Sequence, residues 1–281
     1  MLNKINITFI GPGVMAEAML SGLLKKKLIP AGQIYTSGPF IERVTHLNEK
    51  YGTTPFTDNN KAVKNADVVV LSVKPQGLDK ILDGLRGSIK KDALILSIVA
   101  GATISKIERF LGHDIIIRSM PNTPAQIGQG ITVWTCSETV SEVQKKIAQS
   151  ILGAFGQEIF VEEEDYLDKA TALSGTGPAY VYLFMEAMID AGVHLGFSRR
   201  NAERLVIETV RGSVNYYDNG ADQSRHLARL RNQVTSPGGT SAEALYYLEK
   251  AGFRTALSRA IWAAYQRSKE LGQDVKAHPP D

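Results

Sequence analysis

Short apolar runs alternate with helical patterns over the first half of the chain, and this alternation restricts the possible folds more than any other feature. Continuous apolar strands separated by helices are typical of a parallel sheet that is covered on both faces. The predicted strands are residues 5–10, 68–71, 94–98, 115–117 and 158–161, and the predicted helices are residues 14–26, 41–51, 76–85, 105–111 and 141–155. We therefore expect a doubly wound, Rossmann-like α/β domain at the amino terminus.

The pattern changes at the acidic run 162–165, beyond which helical periodicity continues without a convincing strand. This boundary predicts a dinucleotide-binding domain, residues 1–163, and an all-α domain for substrate binding and dimerisation, residues 164–281. A short helical domain rich in alanine and leucine buries little apolar surface by itself. We expect it to complete its core against a second copy of the chain.

Composition excludes several classes of protein. The net charge is only +3 and the basic residues are spread along the 281 residues, so a basic patch for nucleic acid is missing. No apolar stretch approaches the length of a membrane span, and no charged leader precedes an apolar run. Cys136 is the only cysteine, and the five histidines lack the spacing of metal ligands. We expect a cytoplasmic protein that binds no metal, membrane or nucleic acid.

The motif Gly11-x-Gly13-x-x-Ala16 follows the first predicted strand and opens the first predicted helix. In this context Gly11 allows a tight turn, Gly13 lets the backbone approach a pyrophosphate, and Ala16 keeps the helix close to the sheet. The amino terminus of the helix then faces the phosphate charge. The motif therefore predicts a bound dinucleotide rather than a plain glycine turn.

The segment about twenty residues beyond the glycine motif, where a second strand is expected to end, decides which dinucleotide is preferred. An NAD site usually has an acidic residue there, whereas this chain has Ser37 and no acid before Glu42. A serine hydroxyl can hydrogen-bond a 2′-phosphate without repelling it, and Arg43 is close enough in sequence to help. We expect NADPH as the main cofactor, with NADH possible. Further ligand contacts are expected where later strands end, at residues 72–75, 99–101 and 120–124.

Two glycine-rich segments in the helical half, residues 173–180 and 234–241, place small residues and hydroxyls directly before helices. Free backbone N–H groups in such segments can bind a carboxylate. In the second segment Thr240 and Glu243 also fit a capping box. We expect Thr240 to cap the helix while neighbouring N–H groups and the Ser241 hydroxyl face a ligand. Reduction of a protonated C=N bond requires little more than this anchor, a proton donor and an aligned hydride source.

Taken together, these residues resemble the pyrroline-5-carboxylate reductase family from Ile7 to about Leu271, with residues 234–245 as the most specific match. The resemblance implies NAD(P)H-dependent reduction of 1-pyrroline-5-carboxylate to L-proline, the last step of proline biosynthesis. It also implies assembly into dimers or rings of dimers. The site residues that it implies are Gly11, Gly13, Val14, Met15 and Ala16 at the pyrophosphate, Ser37 and Asn60 at the 2′-phosphate and adenosine, Ser72, Lys74, Pro75, Ala100 and Gly101 at the nicotinamide half, and Ser236, Gly238, Gly239 and Thr240 at the substrate carboxylate.

Ser241 stands where the family normally has threonine, the hydroxyl that donates to the imine nitrogen. Serine keeps this hydroxyl but loses the methyl group that restricts its rotamer. Leu227 and Asn232 also depart from the family, which usually has a proline and an acid there. These departures leave a divergent non-catalytic or regulatory paralogue as an alternative.

A β-hydroxyacid dehydrogenase is a second alternative, because it shares the glycine motif and a helical second half. The lysine and asparagine of that class have no counterpart between residues 171 and 195.

Overall fold

The computed structural model describes residues 2–218 and 226–272, and its central element is an eight-stranded sheet. The strands are β1 (Ile7–Ile10), β2 (Ile34–Ser37), β3 (Thr54–Phe56), β4 (Val68–Leu71), β5 (Leu94–Ser97), β6 (Ile116–Met120), β7 (Gly130–Cys136) and β8 (Gly156–Phe160). Their order is β3-β2-β1-β4-β5-β6-β7-β8, and only the β6–β7 pair is antiparallel. The first six strands follow the dinucleotide-binding order, with a switch point between β1 and β4. The expected Rossmann-like domain is confirmed.

Helices cover both faces of this sheet. They are α1 (Val14–Lys25), α2 (Ile41–Tyr51), α3 (Asn59–Val63), α4 (Leu78–Leu85), α5 (Ile104–Leu111) and α6 (Glu142–Leu152). Phe9 of β1 packs with α1 and α6 in one buried core, whereas its neighbour Ile10 packs with α3, α4 and α5 in a second core. Because both faces are buried, β1, β4 and β5 contain no exposed residue. The short β3 and α3 were absent from the apolar pattern.

Beyond β8, the regular elements of the described residues are all helical. They are α7 (Asp165–Ala170), α8 (Gly177–His194), α9 (Arg199–Asp218), α10 (Leu227–Gln233), α11 (Thr240–Lys250) and α12 (Phe253–Gly272). The chain forms two compact units: one runs to Pro178 and resumes at Ala263, and the other is Ala179–Trp262. Residues 273–281, the end of the predicted second domain, lie outside the described residues.

The second unit has almost no core of its own. Within it, among the described residues, only Ala202 and Val206 are buried. Large apolar side chains such as Leu183, Tyr247 and Trp262 are more than half exposed. This is the surface that a helical domain keeps when it completes its core against another chain.

No helix in the described ranges has the length and apolar character that crossing a membrane requires. Within the same ranges, no three side chains of His, Cys, Asp or Glu are grouped as metal ligands would be. Cys136 is a half-buried free cysteine, and burial raises the pKa of its thiol.

Candidate active site

The glycine-rich turn lies where β1, β2 and β4 end. Gly11 has φ +90°, and a Cβ atom there would lie 2.6 Å from Val73 Cγ1 and 2.8 Å from the Ser72 carbonyl oxygen. Its N–H donates to the Ser37 carbonyl at 2.9 Å. Glycine is therefore required at position 11 by backbone conformation and by packing.

Gly13 is different, because nothing within the described chain requires a glycine there. It is the N-cap of α1, with an ordinary φ of −78°. A Cβ atom at this position would meet no atom within 4 Å. The first turn of α1 follows, with Val14 exposed and Ala16 fully buried against the sheet. This open surface beside a helix amino terminus fits the close approach of a pyrophosphate, and α1 would hold it through backbone N–H groups.

The residues predicted for the adenosine side lie at the ends of β2 and β3. Ser37 is fully buried, and its hydroxyl donates to Asn59 Oδ1 at 2.6 Å. Asn60 is exposed in the first turn of α3, where its N–H donates to the Asp58 carboxylate. No acidic side chain ends β2, as an NADPH site requires.

The residues predicted for the nicotinamide half follow β4 and β5. The Ser72 hydroxyl donates to the carbonyls of Ile10 and Gly11, at 3.0 and 2.8 Å, and so ties β4 to the glycine-rich turn. Lys74 is exposed and precedes a short 3₁₀ turn that begins at Pro75. These residues share one edge of the sheet with Gly13, as predicted from the carboxyl ends of parallel strands.

Ala100 and Gly101 follow β5 at the same edge. Gly101 has φ +73°, and a Cβ atom there would lie 2.8 Å from the backbone of Leu271 and Gly272. The end of α12 therefore packs directly on the turn from which the predicted nicotinamide contacts come. Ala100 is half-buried.

A charge network joins α1 to α2 beside the glycine-rich turn. The carboxylate of Glu17 accepts hydrogen bonds from Arg43 at 2.6 Å, Lys50 at 2.8 Å and Tyr51 at 2.9 Å. Burial raises the pKa of Glu17, but these three hydrogen bonds outweigh burial and lower the pKa from 4.5 to about 2. The carboxylate is ionised at neutral pH and holds the two helices together.

Glu17→Gln is expected to lower the free energy of unfolding by about 2 kcal/mol at pH 7, discounted for the part of the carboxylate that solvent screens. Because the folded pKa is depressed, this contribution is complete above pH 4.5 and is lost as the pH falls towards 2. Denaturant unfolding of both proteins between pH 7 and pH 3 measures it. Glu142→Gln is the control, since its exposed carboxylate also pairs with a lysine, Lys145 at 2.8 Å. An equal pH-dependent loss in both variants would contradict the role of Glu17.

A second charge network is buried behind β6. Arg118 is 3% exposed and donates to Glu164 and Asp168, both at 3.0 Å. Glu164 also accepts the N–H of Ile104, the first residue of α5, and Asp168 accepts the Ser268 hydroxyl of α12 at 2.7 Å. Arg118, Asp168 and Ser268 were not predicted from the sequence. A single arginine inside the apolar run of β6 was the one sequence signal that could have indicated a buried ion pair.

For the first of the two glycine-rich segments, the structure differs from the loop that was predicted. Residues 171–175 form a π-helical turn that continues α7 towards α8, so residues 173–176 are not a loop. The N–H of Thr176 donates to the Thr171 carbonyl, and the Asn122 side chain donates to the Ser174 carbonyl. The expected loop is therefore wrong as far as Gly175, whereas the binding of a carboxylate by this segment stays a prediction.

The other segment, residues 234–241, is a turn before α11, as predicted. Gly238 has φ +69°, and the Gly239 N–H donates to the Ser236 carbonyl at 3.0 Å. The predicted cap is wrong: Gly239 is the N-cap and makes no side-chain cap, so Thr240 is the first helical residue. The capping-box pattern predicts Thr240 as the N-cap, but α11 begins one residue earlier, after the left-handed Gly238. The first-turn N–H groups of α11 therefore have no helical acceptor before them, and Ser241 is half-buried among them.

The two halves of the chain match two family models. Residues 164–271 match the model for pyrroline-5-carboxylate reductase dimerisation. Residues 6–101 match the model described as NADP oxidoreductase, coenzyme F420-dependent.

Full-length relatives are also similar. The pyrroline-5-carboxylate reductase of Synechocystis is 39% identical over 270 residues, which cover 96% of this chain and 99% of the relative. The structure of Plasmodium falciparum pyrroline carboxylate reductase with NADP bound has a TM-score of 0.88 and 32% identity, and covers 96% of this chain and 99% of that one. The Coxiella burnetii pyrroline-5-carboxylate reductase has a TM-score of 0.87 and 38% identity, and covers 97% and 100%.

Proposed function

The chain belongs to the pyrroline-5-carboxylate reductase family, and from this premise we propose how its residues divide the work of the reaction. The protein is an oxidoreductase of proline biosynthesis that binds NADP(H) and reduces the C=N bond of 1-pyrroline-5-carboxylate to give L-proline. NADPH supplies the hydride when it is bound. The β-hydroxyacid dehydrogenase alternative has no support from the full-length relatives.

The glycine-rich turn binds the pyrophosphate in this proposal. The residues assigned to it are Gly11, Gly13, Val14, Met15 and Ala16. The observation that carries the assignment is the open surface at Gly13, which neither backbone conformation nor packing explains. Ser37 and Asn60 serve the 2′-phosphate and adenosine side. A direct contact from Ser37 requires its buried hydroxyl to turn away from Asn59.

The nicotinamide half is lined by residues that follow β4 and β5. The residues assigned to it are Ser72, Lys74, Pro75, Ala100 and Gly101. Their common position at the carboxyl ends of parallel strands supports this assignment.

The turn before α11 binds the substrate. Ser236, Gly238, Gly239 and Thr240 hold its carboxylate, which is the charge that a helix amino terminus favours. Ser241, in the first turn of α11, donates a proton to the imine nitrogen. The ring carbon gains a hydride and the nitrogen gains this proton, so the product is a secondary amine, and solvent water returns a proton to the Ser241 oxygen.

We also propose the wider organisation of the enzyme. Residues 1–163 form the dinucleotide-binding domain, and residues 164–281 form the domain for substrate binding and dimerisation. The match to a dimerisation model and the exposed apolar surface of Ala179–Trp262 support a homo-oligomer. A ring of dimers is the higher assembly that we propose, in the cytoplasm.

The test is NADPH consumption and proline formation with 1-pyrroline-5-carboxylate, wild type beside Gly13→Ala. Because the added methyl group meets no protein atom, we expect an unchanged free energy of unfolding. The same methyl group stands where the pyrophosphate approaches, so the Kd of NADPH should rise by about tenfold or more.

Gly32→Ala is the matched control, since this glycine also has open space around it but lies before β2, at the opposite edge of the sheet. Wild-type protein that binds NADPH yet forms no proline would favour the non-catalytic paralogue. Unchanged NADPH binding by Gly13→Ala would remove the turn from the cofactor site.

A further inference from the structure

Arg43 contacts the glycine-rich turn although it belongs to another helix. From α2, its Nε donates to the Pro12 carbonyl at 2.7 Å and its Nη2 approaches the Gly13 carbonyl at 3.4 Å. The same Nη2 donates to Glu17 at 2.6 Å. One planar guanidinium thus bridges two consecutive backbone carbonyls and the carboxylate one helical turn further on.

These contacts help to hold the direction of the peptide planes, together with the Glu17 N–H, which donates to the Gly13 carbonyl at 3.0 Å in the first turn of α1. In a trans peptide the carbonyl oxygen and the N–H point in opposite directions. A Gly13 carbonyl that turns towards Arg43 therefore turns the Val14 N–H away from it. Val14 is the first residue of α1, and its N–H is one of the groups that has no helical acceptor. Arg43 acts on the donor that the proposed pyrophosphate site uses.

The connection before α2 is packed on the same turn. A Cβ atom at Gly38 would lie 2.6 Å from the Pro12 ring. Gly38 follows Ser37 at the end of β2, so the adenosine side and the pyrophosphate side meet at Pro12. Arg43, on α2, contacts this junction, and its guanidinium forms an ion pair with the Glu17 carboxylate.

We propose that Arg43 is a positioning residue for the dinucleotide. It orients the peptide planes of the glycine-rich turn and does not bind the 2′-phosphate directly. The proposal rests on the proposed role of this turn in binding the pyrophosphate. NADPH and NADH share the pyrophosphate and differ only in the 2′-phosphate. A comparison of the Kd values of the two cofactors therefore distinguishes orientation of the turn from recognition of the 2′-phosphate.

Arg43→Ala is expected to raise the Kd of NADPH and of NADH by the same factor, about tenfold, in fluorescence titrations of the full-length protein. The kcat at saturating NADPH should stay within about twofold, because the loss is one of binding and not of chemistry. A loss at least about tenfold larger for NADPH than for NADH would overturn the proposal, since Arg43 would then read the 2′-phosphate.

Lys50→Ala is the matched control. Lys50 donates to the same Glu17 carboxylate, but among the hydrogen bonds of the described residues it makes none to the turn carbonyls. Its removal should leave both Kd values unchanged. An equal loss in Lys50→Ala and Arg43→Ala would also overturn the proposal, because the cause would be the stability of the α1–α2 pair.

Arg43→Lys keeps the charge without the planar fork, and we expect an intermediate Kd for both cofactors. This variant retains the Glu17 ion pair, so it tests orientation even if Arg43→Ala is poorly folded. Wild-type Kd values in Arg43→Lys would contradict the need for two carbonyl contacts. Failure of the proposed function is separately visible, as cofactor binding without proline formation in the wild type.

Discussion

Ser241→Ala is expected to lower the kcat for 1-pyrroline-5-carboxylate by about 100-fold, at the lower end of what a positioned proton donor contributes. The imine nitrogen must gain a proton as the ring carbon gains a hydride, and Ser241 carries the hydroxyl in the first turn of α11. Alanine removes that donor and keeps the helix. The KM should change less than kcat, because the carboxylate anchor consists of other residues of the turn.

Ser241→Thr is the informative partner variant. It keeps the hydroxyl, and its methyl group restricts the rotamer of that hydroxyl. We expect a kcat equal to or above that of the wild type. Steady-state kinetics of both variants, with proline quantified, make the measurement.

Ser150→Ala serves as the control, since the Ser150 hydroxyl donates to the Lys146 carbonyl within α6. If Ser241→Ala turns over like the wild type, the proton comes from water or another group. If Ser241→Thr is as slow as Ser241→Ala, the hydroxyl is not the donor.

Arg118→Ala is expected to lower the free energy of unfolding by about 3–5 kcal/mol, the usual loss when one partner of a buried ion pair is removed. Both of its carboxylate partners would remain, and the Asp168 side chain is only 12% exposed. Within residues 2–218 and 226–272, that carboxylate would keep only the neutral Ser268 hydroxyl as a side-chain hydrogen-bond donor. Its desolvation would then be uncompensated.

Denaturant unfolding at a fixed protein concentration measures this loss, because the stability of an oligomer depends on concentration. Ser268→Ala is the matched variant, since it removes a neutral donor from the same carboxylate and should cost only about 1 kcal/mol. Equal losses in the two variants would contradict the charge-based explanation.

The local patterns of the sequence were sufficient for the central strands of the sheet and for the glycine-rich turn. Strands β1, β4 and β5 are buried on both faces, so each appears as a continuous apolar run. Gly11 and Gly13 were identified because a strand precedes them and a helix follows. These signals are local, and the structure has the same strand, turn and helix in that order.

The charge networks could not be predicted because they join residues distant in sequence. Arg43 and Glu17 are 26 residues apart, and Arg118 and Asp168 are 50 apart. The Thr240 cap failed for a different reason. A capping box is a pattern of side chains, whereas α11 begins after a backbone turn in which the left-handed Gly238 precedes the N-cap Gly239. The Ser174 segment looked like a loop because small residues and glycines are also compatible with a π turn.

The return of α12 to the first unit has a consequence for how the protein is made. Asp168 receives its hydroxyl donor from Ser268, and Gly101 is covered by Gly272. These partners leave the ribosome only after Ala179–Trp262 has been synthesised. The first unit is thus begun before Ala179–Trp262, and its packing is completed after that segment. A nascent chain therefore leaves the turn at Gly101 without this cover until residue 272 has been made, and the helical segment between must be synthesised first.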